Sequence, residues 1–267
     1  MGQTLKQTII FADSALQQNN APLSIKLYTR ILYFAPDSLK PKIFEKLAFA
    51  YYSENKFIEA EKYFKFASFS AKDSTLNDLL LKISATQILQ KKFLLAQQTL
   101  YALPDSLPIY QQRTKNFQFG TLNFGIANFI EAEKYFLKVL PDSSSLEKEK
   151  IKSYFAKKKY LYRPNPNLVF YSSLFVPGSG QIITGDYQSS LNSIFLLGAL
   201  SGLSVLTLVN YGLADAILTV FPWFFRYYQG GAIKAETKAK TKLQENRALI
   251  YHEITNLMIP YLPQGKH

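Results

Sequence analysis

Side chains able to carry covalent or metal chemistry are scarce in this chain of 267 residues. It has no cysteine, which removes thiolate nucleophiles, thiolate metal sites and disulfides. Of its two histidines, His252 sits in His-Glu-Ile-Thr-Asn, without the second histidine that a zinc-binding helix places four residues on. Asp186 and Asp215 stand isolated in an apolar stretch and form no acid–base pair. The spacing most like a reactive loop is Pro177-Gly178-Ser179-Gly180-Gln181, followed by Gly185-Asp186-Tyr187. A phosphate-binding loop would need its third glycine earlier, or a Gly-Lys-Ser/Thr that is absent. A serine nucleophile elbow would need Gly-x-Ser-x-Gly. These glycines therefore read as backbone devices, permitting positive φ and close packing. The expectation is a non-enzyme with no catalytic residue, no metal site and no cofactor.

The elements around this loop are unusual in charge. From Leu168 to Tyr228 the only basic residue is Arg226 and the only acids are Asp186 and Asp215. On one side, residues 146–165 hold 7 Lys and Arg against 2 acids, and on the other, residues 230–267 hold 6 against 3. Positive charge split over both flanks of an apolar block matches lipid headgroups better than one nucleic-acid stripe, so no nucleic acid is expected as a partner. Leu191 to Val209 is free of formal charge and, at about 1.5 Å per residue, is close to the hydrocarbon thickness. Gly198 and Gly202 form a small-xxx-small pair. After a turn at Asn210-Tyr-Gly, Leu213 to Tyr228 reads as a second, shorter helix. It is kinked at Pro222 and ends in an aromatic cluster with Trp223 and Arg226, as at a bilayer interface. Residues 168–231 are thus expected to form a membrane hairpin with two helices and a Gly-rich turn. Leu168 to Val176 is too short to cross and would be interfacial or re-entrant.

Residues 1–142 carry an internal period. Lys56 to Ser68 (KFIEAEKYFKFAS) and Asn128 to Leu140 (NFIEAEKYFLKVL) are near-copies whose Ala60 and Ala132 lie two periods apart. Ser24 and Ala96 complete a column at a 36-residue step. Four residues on stand Tyr28, Phe64, Leu100 and Phe136, and seven on Ile31, Ala67, Leu103 and Val139. Twelve before stand the small residues Ala12, Ala48, Ser84 and Gly120, each preceded by a large one: Phe11, Leu47, Ile83 and Phe119. This column set resembles the tetratricopeptide repeat, a helical hairpin with a small residue late in helix A, alanine in helix B and an aromatic one turn later. The helix-A tryptophan of that family is replaced by Thr8, Phe44, Leu80 and Asn116. The resemblance implies an all-α helical-hairpin solenoid whose A helices line a groove for a protein or peptide partner. Carried onto this chain, the groove residues are Lys42, Glu45, Phe49 and Tyr52 from the second repeat, with Thr114, Phe117, Thr121 and Phe124 from the fourth. The aromatics among them either grip a peptide or pack on the next repeat.

Residues 143–167 read as a capping helix, opening at Ser144 or Ser145 and presenting Ile151, Tyr154 and Phe155. It is followed by a Pro/Asn linker. Residues 232–267 read as a basic amphipathic helix and tail. No apolar leader core is visible from Met1 to Leu16. The run Pro177, Gly178, Gly180, Gln181, Gly185, Asp186, Tyr187, with Asn192 and Tyr228-Gln-Gly-Gly-x-x-x-Ala235, resembles a family of bacterial envelope proteins. In that family tetratricopeptide-type repeats precede a small two-helix membrane module of unestablished role. The resemblance implies a multi-pass protein of the bacterial inner membrane, with repeats on the periplasmic face. The positive flanks imply a cytoplasmic face instead. The functional expectation is a membrane-anchored interaction scaffold or adaptor. The alternative is a structural or assembly factor acting through its hairpin. The oligomeric state is left open.

Overall fold

A computed structural model describes residues 4–263. The first three residues of the stretch read for a leader, and the last four of the basic tail, lie outside the described residues. The fold is all-α, with no strand among the described residues. The chain divides into two compact units, Met1–Lys152 with Asn256–His267, and Ser153–Thr255.

The first unit contains four helical hairpins: α1 (Leu5–Gln17) with α2 (Ala21–Phe34), α3 (Lys40–Ser53) with α4 (Phe57–Ser68), α5 (Asp73–Leu89) with α6 (Phe93–Tyr101), and α7 (Ile109–Gly125) with α8 (Phe129–Leu137). Each helix packs on the next, and α5 also packs on α7. The sequence period recurs in the backbone. The residue closing each A helix adopts positive φ at Asn19, Asn55, Lys91 and Ala127, 36 residues apart each time. The following N–H returns to the helix, as Asn20 to Ala15, Lys56 to Tyr51, Lys92 to Gln87 and Asn128 to Asn123, all within 3.0 Å. This six-residue loop satisfies carbonyls that a helix end otherwise leaves open.

The small column lies where the helices touch. Ser24, Ala60, Ala96 and Ala132 are fully buried, as are Tyr28, Phe64, Leu100 and Phe136 one turn on. A Cβ on Gly120 would sit 2.5 Å from the Phe136 ring, so α8 can approach α7 only because that side chain is absent. The large column behaves differently in its first copy. Leu47, Ile83 and Phe119 are buried against the preceding hairpin, whereas Phe11 is 48% exposed. Phe11 lacks that cover for a simple reason: no hairpin precedes α1 among the described residues.

Glu61 is a buried carboxylate at the α4–α5 contact. It accepts from Lys65 at 2.6 Å, Gln90 at 2.9 Å, Gln87 at 3.0 Å and Lys92 at 3.3 Å. Burial alone would raise its pKa, but the hydrogen bonds from Lys65, Gln87 and Gln90 win and hold it at about 2. The unfolded chain therefore takes up this proton at higher pH than the folded chain. Stability should be constant above about pH 5 and fall as pH drops towards 2, by on the order of 2 kcal/mol once solvent screening is allowed for. Urea titrations of Glu61→Gln against the parent should show that slope reduced; equal slopes would place the acid sensitivity elsewhere.

The second unit holds the end of α9 (Ser145–Ala156) beyond Lys152, then α10 (Lys158–Tyr162), α11 (Pro166–Phe175), α12 (Ser179–Thr184), α13 (Tyr187–Tyr211) and α14 (Leu213–Asp215). A π-helical turn, Ala216–Val220, leads into α15 (Phe221–Met258). Of the α9 residues expected to share a face, Ile151 and Phe155 are buried and Tyr154 is half-buried. The stretch after Gly212 departs from the expected hairpin in two ways. The wide turn accommodates Pro222, whose ring would otherwise press on the carbonyl of Leu218. Beyond it α15 runs unbroken through Gly230 and Gly231, where the sequence pattern placed the end of one helix and the start of another. The reason is tertiary: Ala232, Ala235 and Ala239 are buried, with Val169 packed on the last two, and this outweighs a glycine cost of about 1 kcal/mol each.

Among the described residues α13 is the one helix long and apolar enough to cross a membrane. At about 1.5 Å per residue it exceeds the hydrocarbon thickness. The second expected span does not meet that standard, because its apolar part is divided among α14, the π turn and the head of a helix that continues into Lys234 and Lys238.

Candidate functional site

Each unit gathers one set of the residues singled out by the sequence. In the first unit a cavity of about 440 Å³ opens between α3, α5 and α7. Phe49, Tyr52 and Thr114 line it together with Phe64, Leu81, Lys82, Tyr110 and Gln118. Glu45 stands beside it, paired to Lys82 at 2.6 Å, and the Lys82 ammonium lies 4.9 Å from the Phe49 ring centre. That pairing aligns Lys82 along an aromatic wall. Asp78 also faces the cavity and accepts from Gln111 at 2.7 Å.

The other expected groove residues are not gathered there. Lys42 is exposed on α3 and Thr121 half-buried on α7. Phe117 meets Phe136 at a tilt, with ring centres 6.0 Å apart, and Phe124 meets Phe129 edge-on at 5.1 Å, both within their own hairpin. These two rings therefore meet their own hairpin and not the next repeat. Sequence columns missed Leu81, Lys82 and Tyr110, which reach the cavity from α5 and α7. A second, wider depression of about 590 Å³ borders α7, the end of α8 and the start of α9, where Arg113, Lys138, Lys148 and Lys152 surround Asp142.

In the second unit the glycine motif is a sequence of stops and starts. Val176-Pro177-Gly178-Ser179 is a type II turn: Gly178 has φ +88° and the Ser179 N–H donates to the Val176 carbonyl at 3.0 Å. Six residues of α12 follow, closed by Gly185 at φ +81°, with the Asp186 N–H returning to Gln181 O at 2.7 Å. Asp186 then caps α13 by accepting from the Ser189 N–H at 3.2 Å. The type and order of residues thus dictate turn, helix, stop and new helix.

The motif is held from behind by α15. Gln181 is buried and donates through Nε2 to the Gly231 carbonyl at 3.1 Å and to Ser193 Oγ at 3.4 Å. The Tyr228 hydroxyl donates to the Leu174 carbonyl. Lys238 pairs with Asp186 at 2.8 Å, and Lys242 donates to the Thr184 carbonyl at 3.0 Å, at the negative end of α12. Hydrogen bonding from Lys238, then from Ser189, holds the Asp186 carboxyl at about 2, well below the usual carboxylate range. The Ser190 hydroxyl donates to the Gly178 carbonyl at 2.9 Å. Pro177 is half-buried, while Tyr187, Trp223 and Arg226 face outward. Within the basic flank that follows the apolar block, Lys238 and Lys242 serve the junction as ion-pair and carbonyl partners. Ser190, Ser193 and these two lysines left no signal, since each pairing joins segments distant in sequence.

Above this junction α13 is bare. Of its 25 residues only Ser190 and Leu197 are buried, while Phe195 and Val209 are 80% and 76% exposed. Among the described residues no group of three or more acidic or histidine side chains is arranged to hold a metal ion. Comparison with known proteins identifies no matching family model, no matching curated protein and no matching solved structure.

Proposed function

We propose that the chain is a membrane-anchored adaptor: α13 fixes it in a bilayer, and the α3–α5–α7 cavity takes a protein partner. The observation that carries this reading is the long apolar helix left uncovered by its own chain, in a protein whose other unit presents an aromatic-walled cavity. Its apolar side chains need a non-aqueous neighbour, and the hydrocarbon core supplies one without further specificity.

Two crossings agree with the path of the chain. Gly231, Lys234 and Lys238 lie beside Gln181, Ser189 and Asp186 at the foot of α13. Leaving α13 at Gly212, the chain has to return to that foot, with the π turn packed along α13. If α13 crosses, Leu213 to Tyr228 crosses back, and Arg226 near the foot can extend its guanidinium to the headgroups. The hairpin alignment and the 36-residue backbone period agree with a tetratricopeptide-type solenoid, and the setting proposed for this adaptor is that of the inner-membrane envelope family. The side occupied by the repeats, periplasmic or cytoplasmic, is decided by labelling a cysteine introduced at exposed Lys42.

The adaptor reading is tested by placing a photo-crosslinking residue at Tyr52 of the full-length chain in cells. A discrete crosslinked partner should form and should be lost in Phe49→Asp. It should persist when residues 168–231 are replaced by an unrelated two-helix anchor. Loss of the product on anchor exchange alone would favour the assembly-factor reading, in which the open Gly198 and Gly202 face of α13 is the binding surface. Crosslinking insensitive to Phe49→Asp would remove the cavity from the mechanism.

A further inference from the structure

One wall of the α3–α5–α7 cavity comes from the far end of the chain, and its significance rests on the adaptor reading of that cavity. After α15 the backbone makes a 3-10 turn, Ile259–Tyr261, and Leu262 is extended at φ −92° and ψ 150°. The Ser144 hydroxyl donates to the Tyr261 phenol oxygen at 3.1 Å, which ties the turn to the start of α9. Pro263 then reaches the cavity and stands among its lining residues with Phe49, Tyr52 and Tyr110. Proline has no N–H to leave unpaired, its φ is already fixed, and its ring packs on aromatic faces, so it loses little on entering such a site.

We propose that the cavity is a recognition site for extended segments carrying proline, and that the chain's own Pro263 is its resident occupant. The partner then binds by displacing the tail. Tethering gives the tail an effective concentration of about the millimolar range, so it competes with any partner segment of similar sequence without needing high intrinsic affinity. The polar side of the cavity, with Lys82 held by Glu45 and Asp78 held by Gln111, keeps both signs of charge available for the residues flanking such a segment.

The absence of native cysteine makes the test direct. Ala85, half-buried on the cavity wall, is replaced by cysteine in the full-length chain, and its maleimide labelling rate is compared with the same chain carrying Leu262→Asp and Pro263→Asp. Labelling should accelerate about fivefold or more in the tail variant, with helicity by circular dichroism unchanged. A fluorescent peptide of sequence Met-Ile-Pro-Tyr-Leu-Pro should bind the tail variant at least about tenfold more tightly than the parent, and Phe49→Ala should abolish that binding. Equal labelling rates would overturn tail occupancy, even where the Tyr52 crosslink persists and the adaptor reading stands. Accelerated labelling without peptide binding would make Pro263 a fixed wall and overturn the recognition proposal. Peptide binding that survives Phe49→Ala would overturn the cavity as the site.

Discussion

Gly180→Ala should dismantle the junction beneath α13. A Cβ at this position would lie 2.1 Å from Ser173 Oγ and 2.6 Å from the Val169 carbonyl oxygen. Neither neighbour can give way cheaply. Ser173 is buried and accepts the Gly180 N–H at 3.1 Å, so turning its hydroxyl aside leaves that donor without a partner. The Val169 contact is to backbone, and the Val169 side chain is itself buried on Ala235 and Ala239. Overpacking against such walls costs about 3 kcal/mol or more, against which alanine returns about 1 kcal/mol of helix propensity. The expected result is a marked drop in the thermal midpoint of the full-length chain in detergent, with new protease cleavage between residues 166 and 186. Gly198→Ala and Gly202→Ala provide the internal contrast. No atom lies within 4 Å of a Cβ at either position, so both should stay within about 0.5 kcal/mol of the parent or gain slightly. A Gly180→Ala chain as stable as these two would mean that α11 and α12 do not pack this closely.

The same contrast marks where sequence reasoning reached and where it stopped. Glycine at 178, 180 and 185 was legible as a backbone device because three glycines in eight residues have few other uses. Which of them serve positive φ and which serves close approach was not, since that depends on Ser173 and Val169 arriving from α11. In the first unit the small and large columns emerged because each position meets the same neighbour in every hairpin. The turn conformation at Lys91 and Ala127 did not, because neither residue type favours positive φ and the six-residue loop imposes it. Among the groove residues, Phe49 and Tyr52 are where A-helix geometry puts them. Phe117 and Phe124 instead turn onto Phe136 and Phe129, a choice made by the aromatic partners in α8 and its entry turn. Continuity of α15 was hidden for a related reason: the two glycines at its middle speak for a break, and only contacts from α11 and α12 override them.

Leu203→Arg should release the chain from membranes, and the pattern around it should separate lipid from a protein neighbour. Leu203 is half-exposed near the middle of α13, a helix with no acidic residue of its own. A central arginine costs about 2.5–3.5 kcal/mol on insertion scales, a large fraction of what one marginal hairpin gains. The carbonate-resistant fraction should therefore fall steeply. Leu191→Arg and Val209→Arg lie near the ends, where the guanidinium can reach headgroup water, and should be tolerated. Ala199→Arg, at the centre one turn before Leu203, should behave like Leu203→Arg. Phe195→Arg, as far from the helix centre as Leu203→Arg, should match it, although Phe195 is the more exposed. A lipid environment makes the loss follow depth, whichever face of the helix carries the charge. A protein groove would instead make it follow the helical face, so that Leu191→Arg or Val209→Arg could be as damaging as a central substitution. Retention of Leu203→Arg and Ala199→Arg in the carbonate-resistant fraction would leave α13 covered by protein, and the membrane anchor would have to be abandoned.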